Sequence, residues 1–358
     1  MAARGMPMKS PPSLKFGRRI VGPGRPVYVI AEAGVNHNGD VELARRLVWA
    51  AKDSGADAVK FQMFRAESLV SRRAPAADYQ RDQGYADQLS MLRRLELKDG
   101  DFAELRDIAE EAEIDFLASA FDPGSLATLL RIRPAAIKFG SGELTDLLLL
   151  GRAARTRLPV ILSTGMAELR EVDAAVACLG RARVALLQCV SSYPCPAEEA
   201  NVRGVPVLAE RYGTVVGYSD HTAGAAAACA AVALGASIVE KHFTLDRRMK
   251  GPDHAASADP EAFTELVRSI RETEAVLGAS GKSPTRGELR MRTFARKSLV
   301  AARRIAPGEK ITPKMLVAKR PGTGIQPSDL ARVLGRRARV EIAEDTPLRW
   351  EQLSARRG

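Results

Sequence analysis

The chain has 358 residues, of which 46% are hydrophobic and 27% charged, and a formal net charge of +11. That length allows one large core and a small second domain, and no apolar run reaches the ~18 residues of a membrane-spanning helix. The four cysteines, Cys178, Cys189, Cys195 and Cys229, form no CxxC pair, so reduced thiols and a cytoplasmic location are expected rather than a disulfide framework or a zinc site.

Residues 1–25 begin basic and proline-rich and contain no apolar stretch, so they predict a flexible lead-in and no signal peptide. From residue 26 to residue 278, eight short apolar runs alternate with helix-like stretches. The runs start at Val27, Ala58, Asp115, Ala136, Pro159, Val184, Val215 and Ser237. Most are followed by apolar residues three and four apart, as in Val41 to Ser54, Phe102 to Ala112, Glu168 to Leu179, Thr222 to Leu234 and Pro260 to Leu277. Eight such units predict an α/β fold, a (β/α)8 TIM barrel. The connection from Arg65 to Gly100 is long for a compact domain and predicts a lid-like segment with an extra helix near Ala86 to Leu95. Gly, Ser and Pro then mark residues 279–293 as a linker. Residues 294–358 change to short strand-like pieces with frequent Pro/Gly turns, which predicts a small β-rich domain. Residues 282–358 hold 19 Lys/Arg and 7 Asp/Glu, so the positive excess belongs to this end. It reads either as solvated surface or as a field that gathers small anions. Few aromatics and no binding motif give nucleic acid little support.

Six of the eight runs start apolar, Asp115 and Ser237 being the exceptions, and all eight end polar. The ends carry Glu32, Lys60 with Gln62, Ser119, Lys138 with Ser141 and Glu143, Ser163, Ser191 with Tyr193, Ser219 with His221, and Glu240 with His242. Active sites of parallel barrels lie at the C-terminal ends of the strands. The four histidines, His37, His221, His242 and His254, follow or end runs one, seven and eight, which are neighbours in a closed barrel. The pair His221 and His242 is therefore the candidate metal site, since imidazole suits divalent transition metals. Lys60 and Lys138 interrupt apolar strands, where an ammonium is costly unless paired. They are candidates for holding a phosphate or carboxylate, helped by the glycines and Ser141 of FGSGE. Lys241 fits an outward-pointing lysine paired with a carboxylate. Glu32, inside VIAEAG, is either a proton-transfer group or the partner of Lys60.

In order, the segments IAEAGVNHNGD, AVKFQ, IKFGSGEL, ILSTGM, SSYPCP, GYSDHT, EKHFT and GPDHAAS resemble the N-acetylneuraminate (sialic acid) synthase family. RKSL, IAPGEKIT and KRPGTG resemble the antifreeze-like (β-clip) domain attached to that barrel. The resemblance implies a phosphoenolpyruvate-dependent synthase that joins this cosubstrate to an N-acylated sugar aldehyde and releases phosphate. It implies manganese, or another divalent metal, on His221 and His242. It also implies phosphoenolpyruvate near Lys60, Lys138, Ser141, Ser163, Ser191 and Ser219, and the sugar and reacting centre near Glu32, Gln62, Glu143, Tyr193 and Asp253. Arg320 would be delivered to a partner's barrel in a homodimer with exchanged C-terminal domains. Cys195, Ser191 and the SADP after GPDHAA depart from the family's usual residues and leave the sugar open: N-acetylmannosamine, its 6-phosphate or a diacylamino trideoxyhexose. The rivals are another metal- or lysine-dependent barrel aldolase or synthase, and a non-catalytic binder of acidic glycans.

Overall fold

The structure, a computed structural model, describes residues 12–71, 87–180, 183–279 and 281–355. The chain divides into two units, Met1–Gly278 and Ala279–Gly358.

In the first unit a hairpin of β1 (Leu14–Phe16) and β2 (Arg19–Val21) precedes the barrel strands. These are β3 (Tyr28–Gly34), β4 (Ala58–Met63), β5 (Asp115–Ala120), β6 (Ile137–Phe139), β7 (Val160–Ser163), β8 (Val184–Cys189), β9 (Val215–Asp220) and β10 (Ile238–His242). They close into one parallel barrel in chain order, with β10 pairing with β3. The helices are α1 (Val41–Asp53), α2 (Ala66–Leu69), α3 (Gln88–Leu95), α4 (Asp99–Glu111), α5 (Pro123–Arg131), α6 (Leu147–Ala154), α7 (Leu169–Leu179), α8 (Gly204–Tyr212), α9 (Ala226–Ala233) and α10 (Pro260–Leu277). Local chemistry starts several of them. Asp40, Asp122 and Asp259 each accept backbone N–H groups at a helix N-terminus, and Pro123 and Pro260 stand where a missing N–H costs nothing.

Side chains alternate across a strand. The outward set, among them Val29, Ala31, Val59, Phe61, Leu162 and Val239, packs beneath the helices as the larger core. The inward set forms tiers. The lower ones are apolar: Tyr28, Ile30, Ala58, Leu117, Ile161, Leu187 and Ile238. Leu14, Phe16 and Val21 of the hairpin belong to this same cluster and close the N-terminal end of the barrel. Phe16 meets Tyr28 edge-on, with ring centroids 5.4 Å apart. Arg19 fixes the plug at the rim by pairing with Asp57 at 2.8 Å. The expected lead-in over residues 1–25 is thus structured from residue 14. Its signal was three apolar residues, Leu14, Phe16 and Val21, too few to read as an element without the barrel floor they fill.

The long connection from Arg65 contains α2 and α3, which share a small apolar cluster with Val35 and Phe64. Residues 72–86 of that connection, and with them the start of the expected helix at Ala86, lie outside the described residues. No helix of the described residues is long and apolar enough to cross a membrane.

The second unit begins with α11 (Arg286–Ala295), a helix with a Thr285/Glu288 capping box, where a linker over 279–293 was expected. It continues with an antiparallel pair, β11 (Ser298–Ala301) and β12 (Leu316–Lys319), and a short helix, α12 (Leu330–Val333). Isolated bridges such as Ile305–Ile342 and Lys310–Arg337 join its turns. Leu299, Ile305, Ile311, Val333, Ile342 and Leu348 form its own core. Among the described residues of this unit, β11 and β12 form the one strand ladder, and the rest of its pairing is by isolated bridges.

Candidate active site

Above the apolar tiers the inward positions turn polar. Sheet register places Glu32 beside both Lys60 and His242, Gln62 beside Ser119, Ser119 beside Lys138, and Ser219 beside Glu240. Parallel strands in register keep neighbouring residues on one face, so these side chains meet inside the barrel mouth. Lys60 and Lys138 are each 2% exposed. Their ammonium groups are not left bare. Lys60 Nζ lies 2.7 Å from Glu32 Oε2 and donates to Ser119 Oγ at 3.1 Å. Lys138 Nζ donates to Ser163 Oγ at 2.9 Å and to the Phe139 carbonyl at 3.0 Å. Glu240 lies between the two lysines, 3.6 Å from Lys60 and 3.5 Å from Lys138, and accepts from Ser219 Oγ at 3.1 Å. Gln62 Nε2 donates to the other oxygen of Glu32 at 3.0 Å.

The electrostatics follow from burial and pairing. Burial alone would raise Glu240, but Lys138 and Lys60 hold its carboxyl at about 2. Burial also opposes the charge on Lys60, yet Glu240 and Glu32 raise it above the ordinary lysine value. Lys138 has the weaker compensation: burial lowers it, and Lys60 adds to the lowering. The cluster therefore holds two ammoniums of unequal comfort, and Lys138 is the one that gains more from an incoming anion.

Ser141 and Ser191 converge on Gly165, just past the end of β7. Ser141 Oγ accepts from the Gly165 N–H at 2.9 Å. A methyl group on Gly165 would fall 2.7 Å from Ser141 Oγ and 2.5 Å from Ser191 Oγ, so only glycine permits this approach of backbone and hydroxyls. Glu143, on the turn after β6, is raised by burial, and its Oε2 is buried without a hydrogen-bond partner.

The rings of His221 and His242 lie 5.6 Å apart, and the Tyr193 ring stands 4.1 Å from the first and 5.7 Å from the second. His221 Nδ1 sits 2.7 Å from the Val190 carbonyl, which fixes the proton on Nδ1 and leaves Nε2 as a free lone pair. Burial pulls His221 down, but Cys189 and Val190 outweigh it and leave it raised. His242 Nδ1 is buried without a partner, and burial, with His221 and Lys60, lowers this imidazole to about 3. Asp253 Oδ2 lies 4.0 Å from His242 Nδ1. Burial and the nearby Glu32 raise Asp253 to about 6.

The other two histidines follow the same neighbouring strands, as expected, but are not part of this cluster. His37 is fully buried, accepts from the Gly39 N–H at 3.0 Å and packs near Phe61, an outward residue of β4. His254 makes a 2.6 Å hydrogen bond with Thr244 Oγ1 and one of 3.2 Å with Asn38, tying two loops together. Arg320 belongs to the second unit, where its Nε donates to the Ala295 carbonyl at 3.0 Å.

The NeuB family model matches residues 47–282, and the SAF domain model matches residues 296–354. The chain belongs to the NeuB family. It is 41% identical over 337 residues to the N,N'-diacetyllegionaminic acid synthase of Legionella pneumophila, covering 92% of this chain and 95% of that protein. It is 41% identical over 328 residues to the synthase of the same name from Campylobacter jejuni, covering 90% and 98%. Among solved structures it resembles the N-acetylneuraminic acid synthetase of Leptospira borgpetersenii, with a TM-score of 0.72 and 33% identity over 78% of this chain and 94% of that one.

In this NeuB-family barrel, sequence reading named Glu240 among the polar strand ends but gave it no role, although it is the carboxylate common to both lysines. A signal existed. Glu240 stands two residues before His242 in a strand, hence on the same face, and a carboxylate in SIVEKHF needs a partner as much as Glu32 does. Neighbouring Lys241 drew the attention instead. It points the other way and pairs with Asp220 at 2.8 Å, as an outward lysine should.

Proposed function

We propose that this chain is a phosphoenolpyruvate-dependent nonulosonate synthase. It joins the enol carbon of phosphoenolpyruvate to the aldehyde carbon of an open-chain acylamino sugar and releases inorganic phosphate. The observation that carries this reading is the pair of buried ammoniums, Lys60 and Lys138, beside a hydroxyl-lined backbone cradle and two imidazoles with free nitrogens. That combination suits an anionic enol phosphate on one side and a carbonyl oxygen on the other.

Lys138, Ser141, Ser163 and Ser191 bind the anionic groups of phosphoenolpyruvate, with Lys60 and Ser219 completing the cradle through Glu240. His221 and His242 fit a divalent ion: one offers Nε2, the other has an unpartnered buried Nδ1, and Asp253 stands close by. Among the described residues no group of three or more His, Cys, Asp or Glu is arranged as a metal cluster, so the remaining positions would fall to water and substrate. Mn2+ held there would polarise the aldehyde oxygen. The chain's own groups do the rest. The enol carbon forms the new C–C bond as the aldehyde oxygen gains a proton. Water adds to the resulting cationic carbon and loses a proton, and the C–O bond then breaks to free phosphate. Glu32, oriented by Gln62 and charge-balanced by Lys60, moves these protons, and Glu143 and Tyr193 line the sugar side with Asp253.

For the sugar we propose a diacylamino trideoxyhexose, supported by the similarity to two synthases named for diacetyllegionaminic acid. We further propose that the enzyme works in the cytoplasm as a homodimer, with residues 279–358 placing Arg320 at a partner's barrel. Phosphate release from phosphoenolpyruvate, measured against a panel of sugars, tests the function. Turnover with the diacylamino sugar above that with N-acetylmannosamine or its 6-phosphate is expected. No phosphate release with any of them overturns the reading. Borohydride with pyruvate is expected to trap no adduct, since no Schiff base is involved.

A further inference from the structure

Asp220 and Lys241 form a buried pair on the outer face of β9 and β10, and each is the chain neighbour of one of the two site imidazoles. Their side chains are 0% and 8% exposed. Asp220 Oδ2 accepts from Lys241 Nζ at 2.8 Å. Asp220 Oδ1 accepts from the Thr222 N–H at 2.9 Å and from Thr222 Oγ1 at 2.7 Å. Lys241 Nζ also donates to the Thr222 carbonyl at 2.6 Å. Both carboxylate oxygens and both flanks of His221 are thus held by one knot. The two residues are directly paired in the sheet. Beyond this pair the β9 ladder stops, so at His221 nothing in the sheet register fixes the distance from β9 to β10. Side chains alternate along a strand, so an anchor facing outward at residues 220, 222 and 241 sets where residues 221 and 242 point inward.

We infer that the Asp220–Thr222–Lys241 knot is a positioning device that sets the separation of His221 and His242, and so tunes the affinity of that pair for a divalent metal. The inference rests on the proposed metal-binding role of the two histidines. It differs from a plain stabilising ion pair in what it controls. Lys60 and Lys138 stand on β4 and β6 and reach the knot's strands only through the Glu240 carboxylate, so loosening the knot is expected to disturb their hold on phosphoenolpyruvate far less than the spacing of the two imidazoles. Residues that orient metal ligands without touching the metal commonly alter affinity by about 10–100-fold.

The experiment measures Mn2+ dissociation constants of the full chain by calorimetry without substrates, together with the visible spectrum of the Co2+-loaded protein, melting temperature and the KM for phosphoenolpyruvate. Lys241→Met is the sharper variant but leaves a buried carboxylate unpaired and risks misfolding. The double variant Asp220→Asn with Lys241→Gln buries no unpaired charge and serves if the single one does not fold. Expected is Mn2+ binding weaker by about 10–100-fold and a shifted Co2+ spectrum, with the KM for phosphoenolpyruvate within twofold of wild type. A folded variant with a lower melting temperature but unchanged Mn2+ affinity and Co2+ spectrum overturns the inference. His221→Ala and His242→Ala separate the two levels. If they too bind Mn2+ as wild type does, the metal site itself is wrong; if they lose it while the knot variants keep it, only the positioning role falls.

Discussion

In the proposed mechanism Glu32 transfers protons and Lys138 binds the anion, and each role has a distinct kinetic signature. Glu32→Gln keeps the shape of the side chain, and Lys60 retains Glu240 as a counter-charge, so the variant folds. Its turnover number is expected to fall about 10²–10⁴-fold, read from steady-state phosphate release; near-normal turnover would reduce Glu32 to a partner of Lys60. Lys138→Met is expected to raise the KM for phosphoenolpyruvate far more than that for the sugar, because this ammonium donates to Ser163 and is the proposed anion-binding charge. Equal effects on both constants would move it away from the anion. His37 makes a pH-dependent contribution of another kind. Burial lowers it from its ordinary value to about 4, so the native state refuses a proton that the unfolded chain accepts below pH 6.5. The stability it contributes is present above the unfolded value and lost as pH falls from 6.5 to about 4, by roughly 3 kcal/mol at most. Urea unfolding at stepped pH should show a shallower loss over that window for His37→Gln than for wild type.

Among the elements, the eight barrel strands were all legible because each is a short apolar run between turn residues, and the polar end of each run marked the face that carries the candidate site. Legibility failed where an element depends on a distant surface. The β1–β2 hairpin has three residues a strand, and only the floor of the barrel makes Leu14, Phe16 and Val21 a structural unit. Glu240 failed for a related reason: its importance comes from lysines on β4 and β6, which no window of local sequence contains. His37 and His254 were placed in the same sector as the site but given no role, and their side chains are held instead by contacts with Phe61 and Thr244. The hairpin supplies its own test. Phe16 is fully buried against Tyr28, and Phe16→Ala should cost about 3–5 kcal/mol of stability. Thermal melting should show the loss while both KM values stay near wild type at low temperature, since the plug and the mouth are at opposite ends of the barrel.

At the scale of the whole molecule, the division at Gly278 separates a unit with the candidate chemistry from one that carries the net positive excess. If that charge serves the chemistry, removing it should do more than lower solubility. A chain truncated after Leu277 is expected to be nearly inactive, and Arg320→Ala in the full chain should weaken sugar binding while leaving the oligomeric state, measured by light scattering, unchanged. Normal sugar affinity and turnover in both would mean the second unit takes no part in catalysis. The stoppered floor of the barrel has one more effect, on traffic. With Leu14, Phe16 and Val21 sealing one end, the cavity is a cul-de-sac. Under the proposed reaction, released phosphate leaves by the mouth through which phosphoenolpyruvate enters, so added phosphate is expected to raise the KM for phosphoenolpyruvate in steady-state assays; an unchanged KM would show that the two do not share a site.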